Sequence, residues 1–110
     1  MLLDAGRPFH AHEVLEDAWK AAPEAERELW RGLAQVAVGL THARRGNAAG
    51  AVALLRRGAD NIAGYRDAAP HGTDAAGVSL RAAGIADRIE REGLAAIPPA
   101  ELTVRLRAGA

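Results

Sequence analysis

The chain has 110 residues, a length that predicts one domain over residues 1–110 with room for a hydrophobic core. Lys and Arg balance Asp and Glu at 14 each, so the net charge gives no reason to expect nucleic acid or an anionic membrane as a partner. There is no cysteine, which excludes disulfide bonds, thiolate metal sites and cysteine nucleophiles.

The first residues, MLLDAGRPFH, carry neither the basic start nor the apolar run of a secretory signal. No later stretch approaches the roughly 18 apolar residues that a membrane span needs, so a cytoplasmic protein is expected. Pro8 is suited to the first turn of a helix, because no intrahelical N–H is needed there. No breaker follows before Pro23, which predicts a first helix over about residues 8–21.

Pro23 then opens a second predicted helix, which runs to about Arg45. Gly46 is a residue type that ends helices in the left-handed conformation, and Asn47 is predicted to cap a third helix over about residues 48–66. Because the connection around Gly46 is so short, the second and third helices are predicted to form an antiparallel hairpin.

The third helix is amphipathic. Its apolar stripe consists of Ala48, Ala51, Val52, Leu55, Ala59 and Ile62. Residues 67–72, DAAPHG, are predicted to be a loop, after which Thr73 or Asp74 caps a fourth helix that ends near Glu92. The residues of this helix predicted to face inward are Val78, Ala82, Ile85 and Ile89.

Pro98 and Pro99 prevent the last segment from continuing as a straight helix. Two conformations stay open for this irregular tail, a final helical turn that begins at Pro99 or an extended path over the bundle. The predicted fold is therefore an all-α single domain of four principal helices with a proline-containing tail.

Polar residues lie on apolar faces of the first two predicted helices. His12 and Glu16 fall on the aromatic-flanked side of the first helix when it is drawn as a wheel. The second helix is apolar almost all the way round, which predicts burial on most sides, yet it carries a narrow polar strip of Glu28, Arg31, Gln35 and His42. A buried amide or imidazole without a partner costs about 1–3 kcal/mol. We therefore predict a hydrogen-bonded cluster of His12, Glu16, Gln35 and His42, with Arg31 at its rim.

The runs FHAHEVLEDAW and LWRGLAQVAVGLTHARRGN carry a family resemblance. They resemble the small bacterial, archaeal and plastid proteins grouped as domain of unknown function 309. The matching positions are His12, Glu13, Glu16, Trp19, Gln35, His42, Arg45, Gly46 and Asn47, with a looser match at residues 72–74. The resemblance extends over about residues 8–90 and departs from the family at Arg31, where a second glutamine is expected. It implies a single all-helical domain and no particular activity.

Two hypotheses from different classes follow for the function. The favoured one is a cytoplasmic interaction or scaffold module without a cofactor, which binds a protein partner or itself and uses the polar cluster for structure. It is favoured because no complete catalytic set is visible. The alternative is a metal-binding protein or metal-dependent enzyme in which His12, Glu16 and His42 hold a divalent ion such as zinc or iron. Nucleic acid is a less favoured partner, since the arginines of the middle region are more simply explained by helix ends and solvated faces.

Overall fold

The computed structural model describes Asp17, residues 19–65 and residues 74–104 of the chain. Three α-helices are complete within these ranges: α1 (Arg27–Arg44), α2 (Ala48–Ala63) and α3 (Ala75–Glu92). Short 3-10 turns lie at Glu24–Glu26, Leu94–Ala96 and Pro99–Glu101. The described residues contain no β-strand, and none of their helices is long and apolar enough to cross a membrane.

The end of one more helix precedes α1. Asp17 and residues 19–21 are helical, and the chain leaves the helix before Pro23. Residues 24–26 form a 3-10 turn, so α1 begins at Arg27, a few residues later than predicted. The all-α class with four principal helices is thereby confirmed.

Helices α1 and α2 form the predicted antiparallel hairpin. Gly46 has a φ of +83°, the left-handed conformation that glycine adopts without strain. The Asn47 side chain accepts a hydrogen bond from the backbone N–H of Gly50 at 3.0 Å, which confirms it as the cap of α2.

Glycines allow the two helices of the hairpin to approach closely. A Cβ atom added at Gly58 of α2 would lie 2.7 Å from the backbone oxygen of Gly32 in α1. A Cβ added at Gly39 of α1 would lie 2.9 Å from Cγ of Leu55. Helix α1 is consequently buried on most sides, and nine of its eighteen residues have little exposed surface.

Helix α2 places most of its predicted apolar stripe inward, since Ala51, Leu55, Ala59 and Ile62 are buried. Val52 is half-buried, whereas Ala48, which was predicted to lie on the same apolar stripe, is exposed. Ala48 is the first residue of α2, and a side chain at the end of a helix is covered by fewer neighbouring residues. The helix also ends at Ala63, before the predicted residue 66, because Gly64 and Tyr65 form a turn.

Helix α3 packs on the other side of α2. Its cap is Asp74, whose carboxylate accepts from the backbone N–H of Gly77 at 3.0 Å. The four residues predicted to face inward, Val78, Ala82, Ile85 and Ile89, are all buried. The predicted loop at 67–72 lies outside the described residues.

The segment after α3 combines the two conformations that the sequence left open. Gly93 ends the helix with a φ of +82°, and the predicted final turn at Pro99 is present. Residues 97–104, hereafter the tail segment, also lie over the bundle and bury Ile97, Leu102 and Val104 in the common core.

Candidate functional site

The predicted polar cluster is only partly within the described structure. His12 and Glu16 lie outside the described residues, so the shared cluster and the metal triad remain predictions. The other three members, Arg31, Gln35 and His42, lie on α1.

Gln35 connects α1 to α2. It is half-buried, and its Oε1 accepts a hydrogen bond from Nδ2 of Asn61 at 2.7 Å. Asn61 lies outside the predicted polar cluster, so its pairing with Gln35 was not predicted. Asn61 follows buried Gly58 by three residues and therefore lies on the same side of α2, where a polar side chain needs a partner.

His42 lies in the last turn of α1, next to the connection to α2. Its Nδ1 lies 3.2 Å from Nδ2 of Asn47. The amide of Asn47 is held in one orientation, because its oxygen accepts from the N–H of Gly50. The amide nitrogen can only donate, so Nδ1 of His42 accepts and the neutral ring carries its proton on Nε2. The backbone oxygen of His42 also accepts from the N–H of Asn47 at 2.8 Å.

This geometry bears on the metal hypothesis. A neutral imidazole that binds an ion through Nε2 carries its proton on Nδ1, where it would face the amide hydrogens of Asn47. The arrangement favours a structural use of His42. Within the described ranges, no three His, Cys, Asp or Glu side chains are grouped so that they could hold a metal ion.

Arg31 lies in solvent at the predicted rim. Half of its side chain is exposed, and its guanidinium lies 3.8 Å from the carboxylate of Glu28 in the same helix. An exposed pair of this kind contributes little to stability.

Arg56 joins α2 to α3. Its guanidinium donates to Asp87 at 2.8 Å and also to Glu90. Hydrogen bonds with Asp87 and then Glu90 raise the pKa of Arg56 above its ordinary value. Because its charge is already balanced by two carboxylates, Arg56 gives little support to a phosphate-binding surface.

Three further arginines hold the tail segment, and we call the surface that they form the tail site. Arg44 of α1 donates to the backbone oxygens of Pro99 at 3.2 Å and Leu102 at 3.3 Å. Arg81 of α3 donates to the backbone oxygens of Glu101 at 2.7 Å and Thr103 at 3.3 Å.

The third arginine of the tail site makes an ion pair. Arg88 of α3 lies 2.6 Å from the carboxylate of Glu101 and 3.4 Å from that of Glu92. The hydrogen bond with Glu101 is the main cause that raises the pKa of Arg88. The tail segment therefore links α1 and α3, two helices that each pack on α2.

Side chains alone attach the tail segment to the helices. Among the described residues, its backbone–backbone hydrogen bonds are local, as from Leu102 N–H to Pro99 O at 3.1 Å. It is bound as a short peptide would be, by three buried apolar side chains and by donors aimed at its carbonyl oxygens. No pattern in the sequence predicts this site, because the three arginines meet residues 97–104 only in the folded chain.

These features define an all-α bundle in which hydrogen bonds and ion pairs of polar side chains connect the helices to one another and to the tail segment. Residues 1–54 match the family described as "Domain of unknown function (DUF309)", which confirms the resemblance over that part of the chain. The uncharacterized protein YpuF of Bacillus subtilis (strain 168) is 48% identical over 48 residues, which are 43% of this chain and 28% of that protein. No solved structure matches the chain. The matched region contains α1 and the junction between α1 and α2, which is formed by Gly46 and Asn47.

Proposed function

We propose that the chain is a helical protein-interaction module that binds an extended polypeptide segment at the tail site. The observation that carries this proposal is the way in which residues 97–104 are held. They are attached to α1 and α3 by side chains only, and most of the polar contacts go to main-chain oxygens. Side chains that donate to backbone carbonyl oxygens do not distinguish between sequences, so this surface is suited to any polypeptide segment with a similar backbone conformation.

The buried side chains of the tail segment define which segments fit. Apolar residues are needed at the positions of Ile97, Leu102 and Val104, which are no more than 5% exposed. An acidic residue is needed at the position of Glu101, opposite Arg88. Burial of each aliphatic side chain contributes about 1.5–3 kcal/mol, so a segment without this pattern is not able to compete with the tail.

The polar residues of α1 and α2 outside the tail site support an interaction role, because their hydrogen bonds hold the bundle together and leave the tail site as the binding surface. Gln35 pairs with Asn61 between helices, and His42 pairs with Asn47 at a turn. Groups engaged in this way fix the shape of the bundle. A cytoplasmic location, expected from the sequence, is part of the same proposal.

The test measures binding of a fluorescent peptide with the sequence of residues 97–104, IPPAELTV, to the full chain. Leu102→Ala loosens the chain's own tail, and we expect this variant to bind the peptide more tightly than the unmodified chain does. The unmodified site is occupied by a tethered competitor, whose effective concentration is in the millimolar range. Equal binding by both proteins, with melting curves that show both folded, refutes the proposal.

A charge-reversed peptide provides the matched control. With lysine at the position of Glu101, the peptide places a cation opposite Arg88 and is expected to bind less tightly. If Leu102→Ala unfolds the chain, Glu101→Lys loosens the tail with the core intact and replaces it in the experiment.

Metal binding by His12, Glu16 and His42 remains the proposal from a different class. It is supported by the ligand types alone. Elemental analysis of protein purified without chelator tests it directly, because a stoichiometric ion that is lost in His12→Ala is the outcome that this alternative requires.

A further inference from the structure

We infer that the segment which fits the tail site in trans is the tail of a second copy of this chain, so that two copies exchange residues 97–104 and form a dimer. This inference rests on the proposed function and names its partner. The tail of a second copy reproduces every interaction of the site, namely those of the three arginines and of the three buried apolar side chains. Reciprocal exchange of an identical element is a low-cost route to a dimer.

The path of the tail segment makes exchange possible. It runs back along α3, since Glu101 lies beside Arg88 and Thr103 lies beside Arg81, nearer to the start of the helix. The reversal is made at Gly93, which has a φ of +82° and no atom within 4 Å of a Cβ built there. A change of backbone angles at Gly93 redirects residues 94–104 together and leaves α3 in place, so half-buried Leu94 is exchanged along with the tail segment.

The tail segment makes the same interactions in the monomer and in the exchanged dimer. The tail segment has no backbone hydrogen bond to α1, α2 or α3 among the described residues, and its bond from the N–H of Ile97 to the oxygen of Leu94 lies beyond Gly93 and moves with the tail. Every hydrogen bond and apolar packing interaction that a tail leaves behind in its own chain forms again in the partner chain. The monomer and the exchanged dimer therefore differ in the conformation around Gly93 and in the entropy of association. Protein concentration decides which form dominates.

A charge exchange between Arg88 and Glu101 tests the inference. Arg88→Glu alone and Glu101→Arg alone each place like charges at the tail site of a single chain. When the two variants are mixed in equal amounts, each tail finds an opposite charge only in the other chain. We expect the mixture to sediment with twice the mass of either variant alone, and native mass spectrometry to identify the species as the heterodimer.

The double variant, Arg88→Glu with Glu101→Arg, is the matched control because it restores the ion pair within one chain. Its Tm is expected to lie above that of either single variant, although the ion pair between Arg88 and Glu92 is lost. A mixture that stays at monomer mass while the double variant is more stable than the single variants overturns the inference. A double variant that is no more stable than the single variants also overturns it, since Arg88 and Glu101 then do not hold the tail.

A second measurement applies if the charge variants do not fold. The chain has no cysteine, so Arg81→Cys in one chain and Thr103→Cys in another create the only thiols present. Treatment of the mixture with a short bis-maleimide cross-linker is expected to give a covalent heterodimer, because the Arg81 side chain reaches the backbone of Thr103. Leu80→Cys, which replaces an exposed residue on another side of α3, is expected to cross-link less with Thr103→Cys. Absence of the first product counts against exchange. Peptide binding to Leu102→Ala without dimer formation leaves the proposed function standing and removes only the second copy as partner.

Discussion

Replacement of Gly58 by alanine tests how closely α1 and α2 are packed. The added Cβ would lie 2.7 Å from the backbone oxygen of Gly32, 2.7 Å from Cγ2 of Val36 and 3.0 Å from the backbone nitrogen of Val36. Two of these three atoms belong to the backbone, so a rotamer change cannot relieve the contact. The helices must move apart, and overpacking of this kind costs about 1–3 kcal/mol.

The opposing effect is helix propensity. Alanine stabilises a helix interior by about 1 kcal/mol relative to glycine, and the cost at Gly58 belongs at the upper end of its range because backbone must shift. We therefore expect Gly58→Ala to lower the free energy of unfolding by about 2 kcal/mol. For a domain of this size the loss corresponds to a fall in Tm of about 8 °C.

Gly84 is the matched control. It is an exposed residue inside α3, and a Cβ added there meets no atom within 4 Å. Gly84→Ala is expected to raise the free energy of unfolding by about 0.5–1 kcal/mol through propensity alone. Urea unfolding followed by far-ultraviolet circular dichroism measures both variants. A Gly58→Ala variant that is as stable as Gly84→Ala refutes the close approach of α1 and α2 at Gly58.

Three further predictions follow from individual interactions. Asn47→Ala is expected to lower the free energy of unfolding by about 1 kcal/mol through loss of the helix cap, while Asn47→Asp, which can still accept from Gly50, loses less in the same urea assay. Gln35→Ala leaves the amide of Asn61 unpaired and is expected to cost about 1–3 kcal/mol; a double-mutant cycle with Asn61→Ala that gives no coupling energy contradicts this. A structural role for the polar cluster predicts that His12→Ala lowers the Tm without changing the metal content, as measured by calorimetry and elemental analysis.

Local signals in the sequence were sufficient to locate α1, α2 and α3 and to identify the residues at several of their ends. Gly46, Asn47 and Asp74 act within a few residues of their own positions, so residue type alone predicts a left-handed terminator or a cap. Periodicity likewise predicted the inward face of α3. Ala48 shows the limit of periodicity, because a residue on the correct side of a helix is still exposed when it lies at the end of that helix.

Interactions between distant residues were beyond this kind of prediction. The polar strip indicated that Gln35 requires a partner, but it did not identify Asn61, which lies on another helix at a spacing set by how α1 and α2 pack. The tail site depends on Arg44 and on two arginines of α3, which meet residues 97–104 only after the helices have assembled. Helix ends and solvated faces explain arginines equally well in a sequence, so nothing in the pattern distinguished these three.

The order in which the polypeptide leaves the ribosome gives the tail segment another consequence. Translation proceeds from the amino terminus and domains fold as they emerge, so α1, α2 and α3 are available before residues 97–104 are. Until then the core positions of Leu102 and Val104 are unfilled, and the neighbouring apolar side chains are open to water. A nascent chain at this stage is prone to aggregation. The tail segment, the last of the described residues to be synthesised, then covers the exposed core.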